Sequence, residues 1–155
     1  FEPTSFLGVT PQGWMRFRDA SGRIHPRVWR DAEAWLSQAS AVVLSLDDVG
    51  RNWTLIDSYA RMTDLLVVTQ GWLGGVLFQS GQSSSFSAPT VREVDPTGAG
   101  DIFSTCFFSR VATGCDPRVA VRFASCIAAR SVSRRGLAAK PRSGEIRVCA
   151  ETWTC

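Results

Sequence analysis

Nowhere in the 155 residues is there a run of about 18 uninterrupted apolar residues, the length a membrane-spanning helix requires. Polar residues break even Ala41 to Leu46 and Leu65 to Phe78. Histidine occurs once, as His25 beside Pro26, with no neighbouring cluster of Cys, His or acidic residues; a loop or packing role is expected for it rather than catalysis or metal binding. The five cysteines (Cys106, Cys115, Cys126, Cys149 and Cys155) are odd in number and form no C-x-x-C pair, which argues against a zinc site and against a disulfide framework. Reduced, cytoplasmic thiols are the expectation, with Cys106 and Cys126 as small core residues in apolar helical patterns and Cys155 exposed. No internal repeat is present, and no basic segment with an apolar stretch and a cleavage site precedes the fold. The first residue is Phe1 rather than Met, so the sequence is expected to start late or to have been trimmed. Trp14, Trp29, Trp35 and Trp53 do not alternate with basic residues at strand spacing and read as packing aromatics rather than a base-stacking platform.

What is present is an ordinary globular composition, 45% hydrophobic and 20% charged, sufficient for one domain over residues 1–155. The net charge of +3 is uneven: residues 1–101 carry 8 basic and 11 acidic side chains, whereas residues 102–155 carry 9 and 3, a net +6. Such a basic segment suits an anionic partner, a nucleoside triphosphate or a nucleic acid, and is equally the pattern of a solvated arginine-rich face.

Hydrophobic periodicity alternates between strand and helix. Strands are predicted at Thr4 to Val9 and Ala41 to Leu46, with Trp14 to Arg18 a further extended piece and Leu65 to Thr69 another strand. Pro26 is expected to open a helix whose apolar stripe is Val28, Trp29, Ala32, Trp35, Leu36 and Ala39. A helical turn at Asp47 to Val49 and a helix over Trp53 to Met62 follow, Gln79 to Ser87 reads as a glycine- and serine-rich connection after the apolar run Val76 to Phe78, and two helices close the chain. These run from about Ala99 to Thr113 and from Asp116 or Pro117 to Arg135, the second capped by Gly136. The pattern implies an α/β sandwich with helices packed on a mainly parallel sheet.

Chemistry concentrates in Val94-Asp95-Pro96-Thr97-Gly98-Ala99-Gly100-Asp101-Ile102-Phe103, where a strand-like approach meets Gly-Ala-Gly and then a long apolar helix. Small residues admit a ligand close to the backbone, and unpaired N–H groups at a helix start stabilise phosphate charge. Asp101, in the first turn, is placed to accept a proton from an attacking hydroxyl. A bare Gly-x-Gly turn with an acidic cap has a purely structural explanation too.

This stretch resembles the signature of the PfkB (ribokinase-like) carbohydrate kinases, in which Asp-x-x-Gly-Ala-Gly-Asp forms an anion hole and ends in the catalytic base; the match is Asp95, Gly98, Ala99, Gly100 and Asp101, with Thr97 as the family commonly has it. Val68-Thr69-Gln70-Gly71-Trp72-Leu73-Gly74 resembles the family's Val-Thr-x-Gly-x-x-Gly segment at the nucleotide phosphates. Ser45-Leu46-Asp47-Asp48 stands where many members have Asn-x-x-Glu, and Arg122 to Ala129 resembles the helix bordering the adenine pocket, with Ser125 where Asn is frequent. Gly8 to Trp14 is similar to a segment of certain members.

The resemblance implies a three-layer α/β/α Rossmann-like fold, of which the amino-terminal part and the β-sheet lid are not recognisable here. It implies transfer of the ATP γ-phosphoryl group to a hydroxyl of a sugar or sugar-like metabolite, with Mg2+ on the phosphates. By the same resemblance Asp101 is the base, Gly98, Ala99 and Gly100 form the anion hole, and Thr69, Gly71, Gly74, Thr97 and Ser125 contact the nucleotide. Asp48 would act on magnesium through water, and Asp95 on a monovalent cation. The isolated chain is expected to turn over negligibly and to self-associate through an unpaired sheet edge, a homo-oligomer being one outcome. Two other readings are a non-catalytic nucleotide-binding remnant and a nucleic-acid-binding module using Arg118, Arg122, Arg130, Arg134 and Arg135, for which no recognised motif speaks.

Overall fold

The computed structural model describes residues 5–155 and divides into two compact units, the first comprising the described residues up to Gln70 together with Val76–Ser84 and the second Gly71–Gly75 and Ser85–Cys155. The strand expected from Thr4 is short, β1 at Gly8–Val9, and Thr4 itself lies outside the described residues. Where an extended piece was expected at Trp14, a helical turn α1 (Gln12–Met15) precedes strand β2 (Arg16–Arg18), which pairs antiparallel with β3 (Ile24–Pro26). Pro26 therefore ends a hairpin strand instead of opening a helix, consistent with proline at an edge position. The helix predicted from it shrinks to α2 (Ala32–Leu36), leaving Val28 74% exposed.

Strand β4 (Ala41–Ser45) and strand β5 (Leu65–Thr69) pair in parallel, with Val42 opposite Leu66 and Ser45 opposite Thr69. Both are buried along four consecutive residues, as a strand covered on both faces must be. Alternate residues Val42, Leu44, Leu66 and Val68 share one core with Met15, Trp29, Leu36, Ile56 and Tyr59. After β4 a 3-10 turn (Leu46–Val49) leads to α3 (Trp53–Ala60), whose first turn is capped by Asn52 accepting from the Leu55 N–H at 3.1 Å. Ile56 is fully buried, whereas Trp53, expected to pack inward, is 40% exposed.

A 3-10 turn (Gly71–Leu73) precedes β6 (Gly75–Gln79), and the serine-rich segment expected as a connection is a strand, β7 (Gln82–Phe86). The sheet order is β1-β4-β5-β6-β7. Ser80 and Gly81, both at positive φ, form the two-residue turn between β6 and β7, which requires those strands to run antiparallel. The sheet is thus mixed.

The second unit is built on α4 (Ala99–Ala112) and α5 (Pro117–Ser131). Helix α5 starts on an Asp116 cap that accepts from the Arg118 N–H at 2.7 Å, with Pro117 in the first turn. It ends at Ser131, short of the predicted Arg135, and Gly136 begins a separate 3-10 turn (Gly136–Ala139). A further helix absent from the sequence reading, α6 (Ser143–Thr152), then packs its fully buried Cys149 against Phe123 and Ile127 of α5.

The expectation of reduced cysteines is overturned. Cys115 is bonded to Cys155 and Cys126 to Cys149, with Cα–Cα distances of 5.0 and 6.0 Å, and only Cys106 is free. Cys106 and Cys126 are half-buried beside the Phe123 cluster, and Cys155 is exposed. His25 stacks on Phe17 at 5.2 Å and bonds Asp19 at 2.7 Å, a packing role. No helix among the described residues is long and apolar enough to cross a membrane.

Burial dictates where substitutions hurt. Leu66→Ala, at a fully buried central-strand position, is expected to cost about 2–5 kcal/mol in chemical denaturation. Leu137→Ala, at a residue 92% exposed, should stay within about 0.5 kcal/mol of the parent.

Candidate active site

The approach to α4 is fixed by backbone and carboxylate bonds. Val94 and Asp95 both donate their N–H to the Val132 carbonyl, at 2.8 and 3.0 Å, just past the end of α5. The Asp95 carboxylate then accepts from the Thr97 N–H at 3.0 Å and from the Gly136 N–H at 3.3 Å. These donors, the Thr97 bonds foremost, hold its pKa below the ordinary aspartate value. Gly98 follows at φ 81°, a conformation that demands glycine, and forms the N-cap of α4 without any side-chain capping bond.

The helix start that results is open. Ala99 N–H bonds the Pro96 carbonyl and Ile102 N–H bonds that of Gly98, but the N–H groups of Gly98, Gly100 and Asp101 have no backbone partner among the described residues. Gly100 has an ordinary helical conformation, and a Cβ placed on it would meet nothing within 4 Å. Packing within the chain therefore does not account for glycine at 100; a ligand lying against the backbone would. Asp101 is exposed in the same first turn and makes no hydrogen bond or ion pair among the described residues. The arrangement can accept an anion and, beside it, a proton.

Gly71, at φ 58° with open space around it, starts the 3-10 turn closed by Gly74 N–H to the Gly71 carbonyl at 3.1 Å. Gly74 has a structural reason to be glycine: at φ 96° it presses on the backbone of Phe86 to Ala88, where a Cβ would collide. Ser125 is 5% exposed on α5, and its hydroxyl makes no hydrogen bond among the described residues. The second unit thus contains Gly71, Gly74, Asp95, Thr97, Gly98, Ala99, Gly100, Asp101 and Ser125.

Asp48 and Thr69 belong to the first unit. Thr69 lies at the carboxyl end of β5 beside Ser45 at the end of β4, the position where ligands meet open parallel sheets, and its hydroxyl donates to the Leu44 carbonyl at 3.3 Å. Asp48 is only 2% exposed. One carboxylate oxygen accepts from the Ser45 N–H at 2.9 Å and the other pairs with the Arg16 guanidinium at 2.5 Å, out of line for a hydrogen bond. A magnesium-bound water could reach Asp48 only if the Arg16 pair opened. No group of three or more Cys, His, Asp or Glu residues among those described is arranged to hold a metal ion.

The pfkB family carbohydrate kinase model matches residues 30–143, nearly three quarters of the sequence. The chain belongs to that family. No curated protein sequence matches it. Among solved structures, a ribokinase from Thermotoga maritima superposes with a TM-score of 0.70 at 20% identity, over 97% of this chain and 50% of that one. An Arabidopsis thaliana ribokinase complexed with ribose and ATP gives 0.66 at 20% identity, over 76% and 42%, and a Burkholderia thailandensis nucleoside kinase in complex with inosine gives 0.63 at 21%, over 79% and 43%. These similarities give the pfkB chain its ribokinase-like α/β fold, and it spans half or less of the length of these structures.

Arg16 escapes the sequence reading, and Arg134 and Gly136 appear in it only as a candidate nucleic-acid contact and a helix cap, because each acts by a long-range contact. Arg134 bonds Glu145 at 2.6 and 3.0 Å and the Ala138 carbonyl at 2.7 Å, shaping the turn that presents the Gly136 N–H to Asp95. A lowered Asp95 pKa stabilises the fold above the ordinary value of about 3.9, and that contribution is lost as pH falls through the depressed folded value. Asp95→Asn is therefore expected to melt below the parent at pH 6, with the gap closing as the pH is taken towards 3; melting curves against pH check this.

Proposed function

We propose that this chain is the nucleotide-binding and catalytic part, one partial domain over residues 1–155, of an ATP-dependent kinase that phosphorylates a hydroxyl of a sugar or sugar-like metabolite. The observation that carries the reading is the start of α4: three unpaired N–H groups, an unshielded Gly100 and an unpaired carboxylate at Asp101 within one turn. In this reading the free N–H groups of Gly98 and Gly100 stabilise charge developing on the transferred phosphoryl group, Ala99 joins them only by releasing the Pro96 carbonyl, and the helix dipole adds to them. Asp101 orients the acceptor hydroxyl and takes its proton as the oxygen attacks. Thr97, Gly71 and Gly74 flank the phosphates, Thr69 contributes from the end of β5, and Ser125 offers an unpaired hydroxyl to the nucleotide base. ATP supplies the phosphoryl group and Mg2+ screens its charge; the Asp48 and Asp95 carboxylates are the candidates for magnesium water and a monovalent cation once their present partners yield.

The family membership and the ATP and ribose held by the Arabidopsis neighbour support this assignment. Against a nucleic-acid role, Arg122 lies over the Trp153 ring at 5.2 Å and Arg134 is held by Glu145, so two of the five arginines considered for such a surface are engaged internally. A cytoplasmic, self-associating kinase is part of the same proposal. Two disulfides sit better with oxidising surroundings, so the thiol content of protein drawn directly from cells tests its location.

Two substitutions separate catalysis from structure. Gly100→Ala should leave the melting temperature unchanged or raise it, since alanine is the better helix former by up to about 1 kcal/mol, while ATP affinity measured by calorimetry falls. Asp101→Asn, in a polypeptide that also supplies an acceptor site, should retain fold and ATP affinity but lower kcat by about 10² to 10⁴. Near-normal kcat in a well-folded Asp101→Asn protein would remove Asp101 from the base role.

A further inference from the structure

The two disulfides of the second unit occupy opposite environments. Cys126–Cys149 joins α5 to α6 inside the apolar cluster of Phe123, Ile127 and Trp153, and Cys149 is fully buried. Cys115–Cys155 fastens the last residues to the turn between α4 and α5; Cys115 is 5% exposed, but Cys155 is exposed. Beside the Cys155 sulfur lies a cation, because the Arg110 guanidinium donates to Sγ at 3.2 Å while resting on the Phe123 ring at 4.1 Å. Access and leaving-group stabilisation set the rate of thiol–disulfide exchange. Cys155 combines access with a cation at its sulfur, whereas the other pair has only a half-buried Cys126 beside a buried Cys149, and no cation bonds either sulfur among the described residues.

We propose that Cys115–Cys155 is an exchangeable redox clip, with Cys155 as the site of mixed-disulfide formation by a low-molecular-weight monothiol, and that Cys126–Cys149 is a permanent staple. A thiolate attacks Cys155 Sγ, the bond to Cys115 breaks, and Cys115 leaves with the electron pair and takes a proton from water. A second thiolate attacks the small-molecule sulfur of the mixed disulfide and departs as the oxidised disulfide of the monothiol. The electron pair then remains on Cys155, beside the Arg110 guanidinium. Two monothiols are oxidised and one protein disulfide is reduced. Opening the clip releases a ring closed over 40 residues, while the staple, closed over 23, still holds α6 on α5. Cys106 does not compete: it is half-buried, and desolvation outweighs Arg110 in raising its pKa, so it stays a thiol rather than an attacking thiolate. The proposal does not depend on the kinase reading.

The test treats the full chain, first oxidised with glutathione disulfide, with reduced glutathione under native conditions. Samples are quenched in acid, alkylated with N-ethylmaleimide and mapped by peptide mass spectrometry. Glutathione is expected first on Cys155 with Cys115 alkylated, then both cysteines alkylated, with Cys126–Cys149 opening at least about tenfold more slowly. Arg110→Gln should slow the second step, in which Cys155 is the departing thiolate, several-fold without changing the opening rate of Cys126–Cys149, and Cys155→Ser should abolish the fast adduct. Equal opening rates, survival of both disulfides, a first adduct on any other cysteine, or Cys115 and Cys155 remaining thiols after oxidation would overturn the assignment.

Discussion

The Asp95 carboxylate is the constraint on which the candidate site depends. It gathers the Thr97 and Gly136 N–H groups, while the Val132 carbonyl takes those of Val94 and Asp95. The segment entering α4 is thereby suspended from the end of α5, and Gly98 can turn at positive φ without any side chain capping the helix. Arg134 and Glu145 extend the same support to α6. A charged residue that looks like part of a ligand site in the sequence is, in the fold, chiefly the strut that keeps the site's backbone in place.

A helix beginning with unpaired donors is ordinarily a cost, tolerated here because the donors face solvent. The same groups become an asset when an anion arrives, and glycine at 100 keeps the way to them clear. Asp101 brings a negative charge to that turn, which the helix dipole favours and a phosphate disfavours. That opposition is the arrangement a base needs when it must sit near a phosphoryl group without binding it.

Local patterns were legible in the sequence and long-range ones were not. Strand β5 was predicted to the residue and β4 to within one, because short, valine-rich unbroken runs such as Leu65 to Thr69 have the length and composition of a buried strand. The Gly98 to Asp101 motif could be read because its chemistry is contiguous. Strand β7 was hidden by its serines: an edge strand exposed over most of its length needs no apolar alternation. Pairings between distant residues leave no trace in spacing. Cys115 and Cys155 meet across 40 residues, and Arg16 meets Asp48 only because α1 and the turn after β4 share a core.

The most direct measurement is a titration of the isotopically labelled chain with ATP and Mg2+, followed through backbone amide resonances. The account requires saturable shifts at Gly98, Gly100 and Asp101, displaced in competition by inorganic pyrophosphate. If those three amides stay unmoved while others respond, or none respond in the folded protein at millimolar ATP, the start of α4 is not a phosphate site and the central claim fails.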